Sequence, residues 1–232
     1  MYLFGIRFLL DWGVGKLALH DLGRDEDQEL KGKRVEGVFL GIVTNNQDPE
    51  KGAKVKVKFP WVSEDDYWAR VVTLMAGNGR GTFFIPEVGD EVLVAFDHGD
   101  INNPYVIGAL WNGEDSPPEK NEDGKNNIRK IRSRLGHEVV FNDEEGKGKV
   151  EIRTKSGHKI VLDDSSGGEK IDIMDKSGNN SIRIDSAQNS IAISSQMKLN
   201  IKAQSIEIES GGMMTIKSSG TLTLQGALIK IN

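Results

Sequence analysis

Through the second part of the chain, apolar side chains recur in pairs one residue apart. The pairs are Val139 and Phe141, Val150 and Ile152, Ile160 and Leu162, Ile171 and Ile173, Ile182 and Ile184, Ile191 and Ile193, Leu199 and Ile201, Ile206 and Ile208, Met214 and Ile216, Leu222 and Leu224, and Ile229 and Ile231. Successive side chains of a strand point to opposite faces, so each pair puts two apolar groups on one face of a very short strand. The pairs start 9 to 11 residues apart as far as Ile191 and 7 or 8 apart beyond it. An internal near-duplicate, "GHEVVFND" at 136–143 against "GHKIVLDD" at 157–164, marks the same stretch as repetitive. Repeats at so short a period signal a stacked, quasi-one-dimensional architecture.

Counting then decides what the faces bury against. A solenoid coil wound from one chain takes about 20 residues or more to close its cross-section. Eight residues supply one strand and one corner, so three identical chains around one axis are needed to enclose a layer. A meander of three-residue hairpins is the weaker alternative, because isolated short pairs bury too little. In a trimer each layer buries about six aliphatic or Met side chains, each worth roughly 1.5–3 kcal/mol as an upper estimate. The predicted inward residues of the distal part are Ile191, Ile193, Leu199, Ile201, Ile206, Ile208, Met214, Ile216, Leu222, Leu224, Ile229 and Ile231. Arg183, Asn200, Glu207, Thr215, Thr223 and Lys230 between such pairs are predicted to face water. No Trp, Tyr or Phe follows Phe141, which suits a narrow axis where three large rings would overpack.

Upstream the pattern changes. From Val35 to about Ser116 the segments "VFLGIVTN", "AKVKVKF", "WARVVTLM", "GTFFI", "DEVLVAF" and "YVIGALW" alternate with Gly, Pro, Asp and Asn clusters, and five or six short strands there predict a small barrel. "NGEDSPPEKNEDGKNN", 112–127, is polar, has two prolines and lacks apolar periodicity, and reads as the linker. Three parts are thus expected: 1–34, an extension whose fold is unassigned; 35–116, the barrel; and 117–232, linker and needle.

Composition supports this all-β reading and adds limits. The 232 residues include 27 Gly and no Cys, which excludes disulfides and thiolate metal clusters. The opening "MYLFGIRFLLDW" is interrupted by Arg7 and Asp11 and falls short of the roughly 20 residues of a membrane span. It also lacks the features of a signal peptide, so conventional secretion is not expected. Net charge is −5, and residues 35–116 carry 6 Lys plus Arg against 13 Asp plus Glu, 6 − 13 = −7, which disfavours phosphate-bearing partners.

Three stretches, "GIVTNNQDPEKGAKVKVKFPW", "YWARVVTLMAGNGRGTFFIPEVGDEVLVAFDHGDINNPYVIGALWNG" and "IRSRLGHEVVFNDEEGKGKVEIRTKSGHKIVLDD", resemble the central spikes of contractile injection systems, the family of VgrG, phage baseplate protein V and gp5-like spikes. The resemblance covers about 35–232. It implies an OB-fold collar followed by a trimeric, intertwined β-helix needle, and a spike at the tip of a contracting tube. Large members carry an upstream hub domain for which residues 1–34 are too short, so a short phage-like spike or a shortened larger protein is expected. No lysozyme-like insertion separates barrel from needle, so wall-cutting activity is not expected. Some short spikes end in a His-x-His iron site, whereas the last histidine here is His158. The resemblance therefore implies a metal-free tip that takes a PAAR-type cap, with Gly226, Ala227, Leu228, Ile229, Lys230, Ile231 and Asn232 as the docking end. Implied partners are two further copies, tube or hub baseplate proteins, the cap, effectors, and transiently the target membrane, but no nucleic acid. Implied location is the cytoplasm during assembly, then the baseplate tip of an injection particle.

Candidate chemistry is sparse. "AGNGRG", 76–81, lacks the Lys-Ser/Thr and helix of a phosphate loop and reads as a turn. His137 and His158, in matching Gly-His dipeptides, read as equivalent strand starts rather than metal ligands. Asp143 with Glu144 and Asp163 with Asp164 resemble the carboxylate pairs of polysaccharide-cleaving solenoids, but lie beside Gly-rich turns and read as corners. No catalytic, cofactor or metal site is predicted, and an enzyme is the disfavoured reading. The alternative function is an OB-fold module binding nucleic acid or oligosaccharide on an oligomeric β-solenoid, with Trp61, Tyr67, Trp68 and Trp111 as stacking platforms. Those aromatics read more simply as filling of the barrel and its junction with the needle.

Overall fold

The computed structural model describes residues 34–62 and 65–231. Apart from Arg34, the expected extension 1–34 lies outside the described residues, as does Asn232. All regular structure among the described residues is β, and the chain divides into two compact units between Pro117 and Pro118.

The first unit is a closed barrel of β1 (Val38–Asn45), β2 (Val55–Lys58), β3 (Asp66–Val71), β6 (Glu91–Asp97) and β7 (Asp100–Ala109), in the order β1-β2-β3-β7-β6. Neighbours are antiparallel except β3 and β7, whose parallel pairing of Arg70 with Tyr105 and Val71 with Val106 closes the cylinder. Alternate residues point inward, and Val43, Val55, Val57, Phe59, Ala69, Val92, Val94 and Val106 form the buried core. Gly41 belongs to this close packing: a Cβ there would stand 2.3 Å from Val57 Cγ1. His98 and Gly99, both at positive φ, make the tight hairpin between β6 and β7, as two-residue hairpins require.

Between β3 and β6 the chain makes an excursion carrying a small hairpin, β4 (Ala76–Gly77) and β5 (Arg80–Gly81). The sequence pattern predicted a strand over "GTFFI", 81–85; only Gly81 is in a strand. Phe83 and Phe84 are exposed, and Ile85 packs against the core. Apolar content there mimics a strand without barrel partners to pair with.

The second unit is a seven-stranded antiparallel meander: β8 (Ile128–Arg132), β9 (Glu138–Asn142), β10 (Lys149–Arg153), β11 (Lys159–Asp163), β12 (Lys170–Met174), β13 (Ser181–Asp185) and β14 (Ser190–Ser194). Strands here are five residues long, not three, and fold back on each other within the chain. Steps of 9 to 11 residues leave enough chain for a five-residue strand and a reversing turn. Steps of 7 or 8 leave two or three residues for a turn, and residues 195–231 form no strand of their own. Bends recur there at 196–197, 204, 211–212, 219–220 and 227, one between each successive pair of apolar residues.

Candidate functional site

The meander aligns its apolar pairs in two continuous columns on one face. Ile131, Val139, Ile152, Ile160, Ile173, Ile182 and Ile193 stand in cross-strand register in one column. Phe141, Val150, Leu162, Ile171, Ile184 and Ile191 form the other. In a single chain this face is largely uncovered: Phe141, Ile152, Ile160, Leu162, Ile171, Ile173, Ile182, Ile184, Ile191 and Ile193 are all exposed. Patches of this extent mark an interaction surface.

The opposite face is polar, and its charges are organised. Glu138 sits in register between Arg132 and Arg153. Arg153 Nε donates to Glu138 Oε2 at 2.8 Å, and Arg132 Nε lies 3.4 Å from Oε1. The Arg153 guanidinium holds the Glu138 carboxyl below its ordinary value, although burial works against it. Arg183, expected to point away from the apolar face, does so. It grips Asp172 on the neighbouring strand through Nε to Oδ1 at 2.6 Å and an Nη to Oδ2 at 3.2 Å, and the Arg183 pKa is raised by that bond. Only 6% of Glu138 and 4% of Asp172 is exposed, so long arginines crossing the strands shield carboxylates at the sheet centre.

Beyond β14 the pattern is sharper still. The twelve residues predicted to line a trimer axis, Ile191 through Ile231, are each between 47% and 86% exposed in the single chain. Among the described residues, no backbone–backbone hydrogen bond joins any two positions within 196–231. The corners instead carry serine turns: Ser195 Oγ donates to Lys198 O at 2.9 Å, Ser210 Oγ to Met213 O at 3.3 Å and Ser218 Oγ to Thr221 O at 3.5 Å. Apolar side chains left uncovered, on a backbone with no backbone partner in its own chain, mark 196–231 as an interaction surface. At the distal end Gly226 to Ile231 are exposed.

The remaining candidates occupy structural positions. His137 Nδ1 accepts from the Lys155 amide and His158 Nδ1 from the Lys176 amide, both at 3.3 Å, so the two Gly-His dipeptides make the same turn contact one repeat apart. Asp143 and Glu144 open the β9–β10 turn, where Glu144 pairs with Lys147 at 2.7 Å. Asp163 caps the β11–β12 turn, accepting from the Ser165 amide at 3.0 Å. Among the described residues no three His, Asp or Glu side chains converge as a metal site would need. "AGNGRG" is the β4–β5 hairpin. Tyr67 and Trp61 lie in an aromatic cluster with Phe39, Phe59 and Phe96, ring centroids 5.0–6.3 Å apart, while Trp111 is exposed. Sequence reasoning missed the polar-face clamps. The alternation of Glu138, Asp172, Arg153 and Arg183 with apolar neighbours shows which face they share, but their pairing depends on strand register.

Comparison with known proteins places the barrel. Residues 39–111 match the model of the type VI secretion system/phage-baseplate injector OB domain. The chain is 28% identical over 131 residues to the type VI secretion system spike protein VgrG3 of Vibrio cholerae, covering 50% of this chain and 13% of that protein. It is 27% identical over 131 residues to the actin cross-linking toxin VgrG1 of the same species, covering 50% and 12%. With the spike protein VgrG4b of Pseudomonas aeruginosa it shares 34% identity over 134 residues, 47% of this chain and 16% of that protein. The chain thus spans under a fifth of the length of these relatives. Through its closed five-stranded barrel and these matches, residues 39–111 form an OB domain of the type VI secretion/phage-baseplate injector family.

Proposed function

We propose that this chain forms a homotrimeric central spike at the tip of a contractile injection apparatus, with the barrel as collar and residues 118–232 as needle. The observation that carries the reading is the absence of intrachain cover for the two apolar columns of the meander and for the pairs from Leu199 to Ile231. Two further copies supply that cover. They also supply backbone partners for 196–231, and the polar residues between the pairs, Asn200, Glu207, Thr215, Thr223 and Lys230, are left facing water.

The mechanism is mechanical. A β-structured rod whose every layer is hydrogen-bonded and filled with aliphatic side chains transmits axial force without bending, so sheath contraction concentrates load on a small area of the target envelope. The collar meets tube or hub proteins, and Gly226 to Asn232 form the blunt end on which a PAAR-type cap docks. Effectors travel attached to these ends, and contact with the target membrane is transient. No bond-making step belongs to this role.

Size-exclusion chromatography with light scattering tests the assembly. The expected mass is three times that of the chain across dilution to low micromolar concentration. A folded, rod-shaped single chain contradicts the proposal.

A further inference from the structure

The barrel carries two apolar surfaces that its own core does not use. One is the outer wall: on β1, Val38, Leu40 and Ile42 point outward and are exposed, and in register they adjoin the half-buried Ala95 and Leu93 of β6, with exposed Ile107 at the bulge of β7 beyond. A barrel needs apolar residues inside; a wall apolar on both sides is built to be covered. The other is the β4–β5 arm. Val71 and Ile85 anchor its two ends on the core, Thr73 Oγ1 donates to Thr82 O at 2.8 Å, and the Thr82 amide donates to Met75 O at 3.0 Å. Gly81 permits that crossing, since a Cβ there would meet Met75 O at 2.3 Å. The arm presents Leu74, 96% exposed, Phe83, 77% exposed, and beside them Met75 and Phe84.

We propose that in the assembled spike the arm of each barrel lies on the outer wall of the next, closing the three collars into a ring. This rests on the trimeric reading above. A cyclic threefold assembly needs a heterologous contact, two different surfaces on every copy, whereas one self-complementary patch gives a pair. Wall and arm are such a dissimilar couple, and neither covers the other within one chain. Their charges are complementary as well. β1, β6 and β7 contain Glu91, Asp97 and Asp100 and no Lys or Arg, while residues 72–85 contain one charge, Arg80, at the hairpin. Tethering favours the contact: each barrel is joined to its needle by 112–127, and short flexible linkers hold partners at about millimolar effective concentration.

The chain has no cysteine, so introduced ones are unambiguous. In the full-length protein, the double variant Leu40→Cys with Phe83→Cys is treated with a short bis-maleimide and run on a denaturing gel, and light scattering is recorded on the same untreated, reduced sample. Covalent trimers as the limiting product, with each single variant remaining uncrosslinked, are the expected result. A trimer by light scattering that crosslinks only within chains or not at all overturns the ring and leaves the trimeric needle standing. Dimers from Leu40→Cys alone also overturn it, because they show wall meeting wall. A monomer by light scattering removes the trimeric reading, and the ring with it.

Discussion

Glu138 shows how single residues hold this molecule in register. Its carboxylate is nearly covered, flanked by Arg132 and Arg153 on both neighbouring strands, and a one-residue slip of either strand would remove one of these two partners. Asp172 and Arg183 repeat the device three strands further on. Because the folded-state value of Glu138 lies below the ordinary one, the unfolded chain takes up the proton first on acidification. Its stabilisation is therefore fully present above the ordinary carboxylate range and is lost as pH falls through the depressed folded value. Glu138→Gln is expected to lower the thermal midpoint at neutral pH, with the gap to the parent protein narrowing in strong acid. Paired thermal scans across pH check this, and a gap independent of pH would show that the clamp is not electrostatic.

Among elements, the step between successive apolar pairs separates the strands that pair within the chain from the segment that does not. At 9 to 11 residues a strand returns to its own neighbour, as β9 to β14 do; at 7 or 8, beyond Ile193, no strand pairs within the chain. If Ile208 lies at a threefold axis, Ile208→Asp gathers three carboxylates without counter-ions, at about 3 kcal/mol or more for each buried charge. Loss of the trimer or of its heat resistance is expected from that variant, and little change from Thr215→Asp on the outward face. A chain with Ile208→Asp that stays trimeric and equally heat-resistant would show the inward assignment to be wrong. The shared face of the apolar pairs from Val139 to Ile193 was legible beforehand, because period-2 pairs report which side chains lie together. Whether a face closes on its own chain was less so. Spacing alone does not reveal where a hairpin turn fits, so the pairing of 128–194 within the chain was not legible from it. "GTFFI" misled for a related reason: alternation marks an extended, half-apolar segment, and Phe83 and Phe84 belong to an arm rather than to the barrel. The outward Val38, Leu40 and Ile42 were hidden inside the continuous apolar run "VFLGIV", where no alternation separates a buried face from an exposed one.

Across the whole molecule, the barrel is complete within one chain and the needle is not. Val43, Val57, Phe59, Val92 and Val94 are fully enclosed by their own barrel, whereas in the second unit every described residue from Ser186 onward is exposed. The proposed trimer would give this second unit the enclosed interior that the single chain lacks. Backbone amide hydrogen exchange over 198–231 in the native, full-length protein tests this most directly. Slow exchange throughout that segment, at positions whose own chain offers no backbone partner, is the predicted result; exchange at the rate of an unfolded peptide would contradict the account.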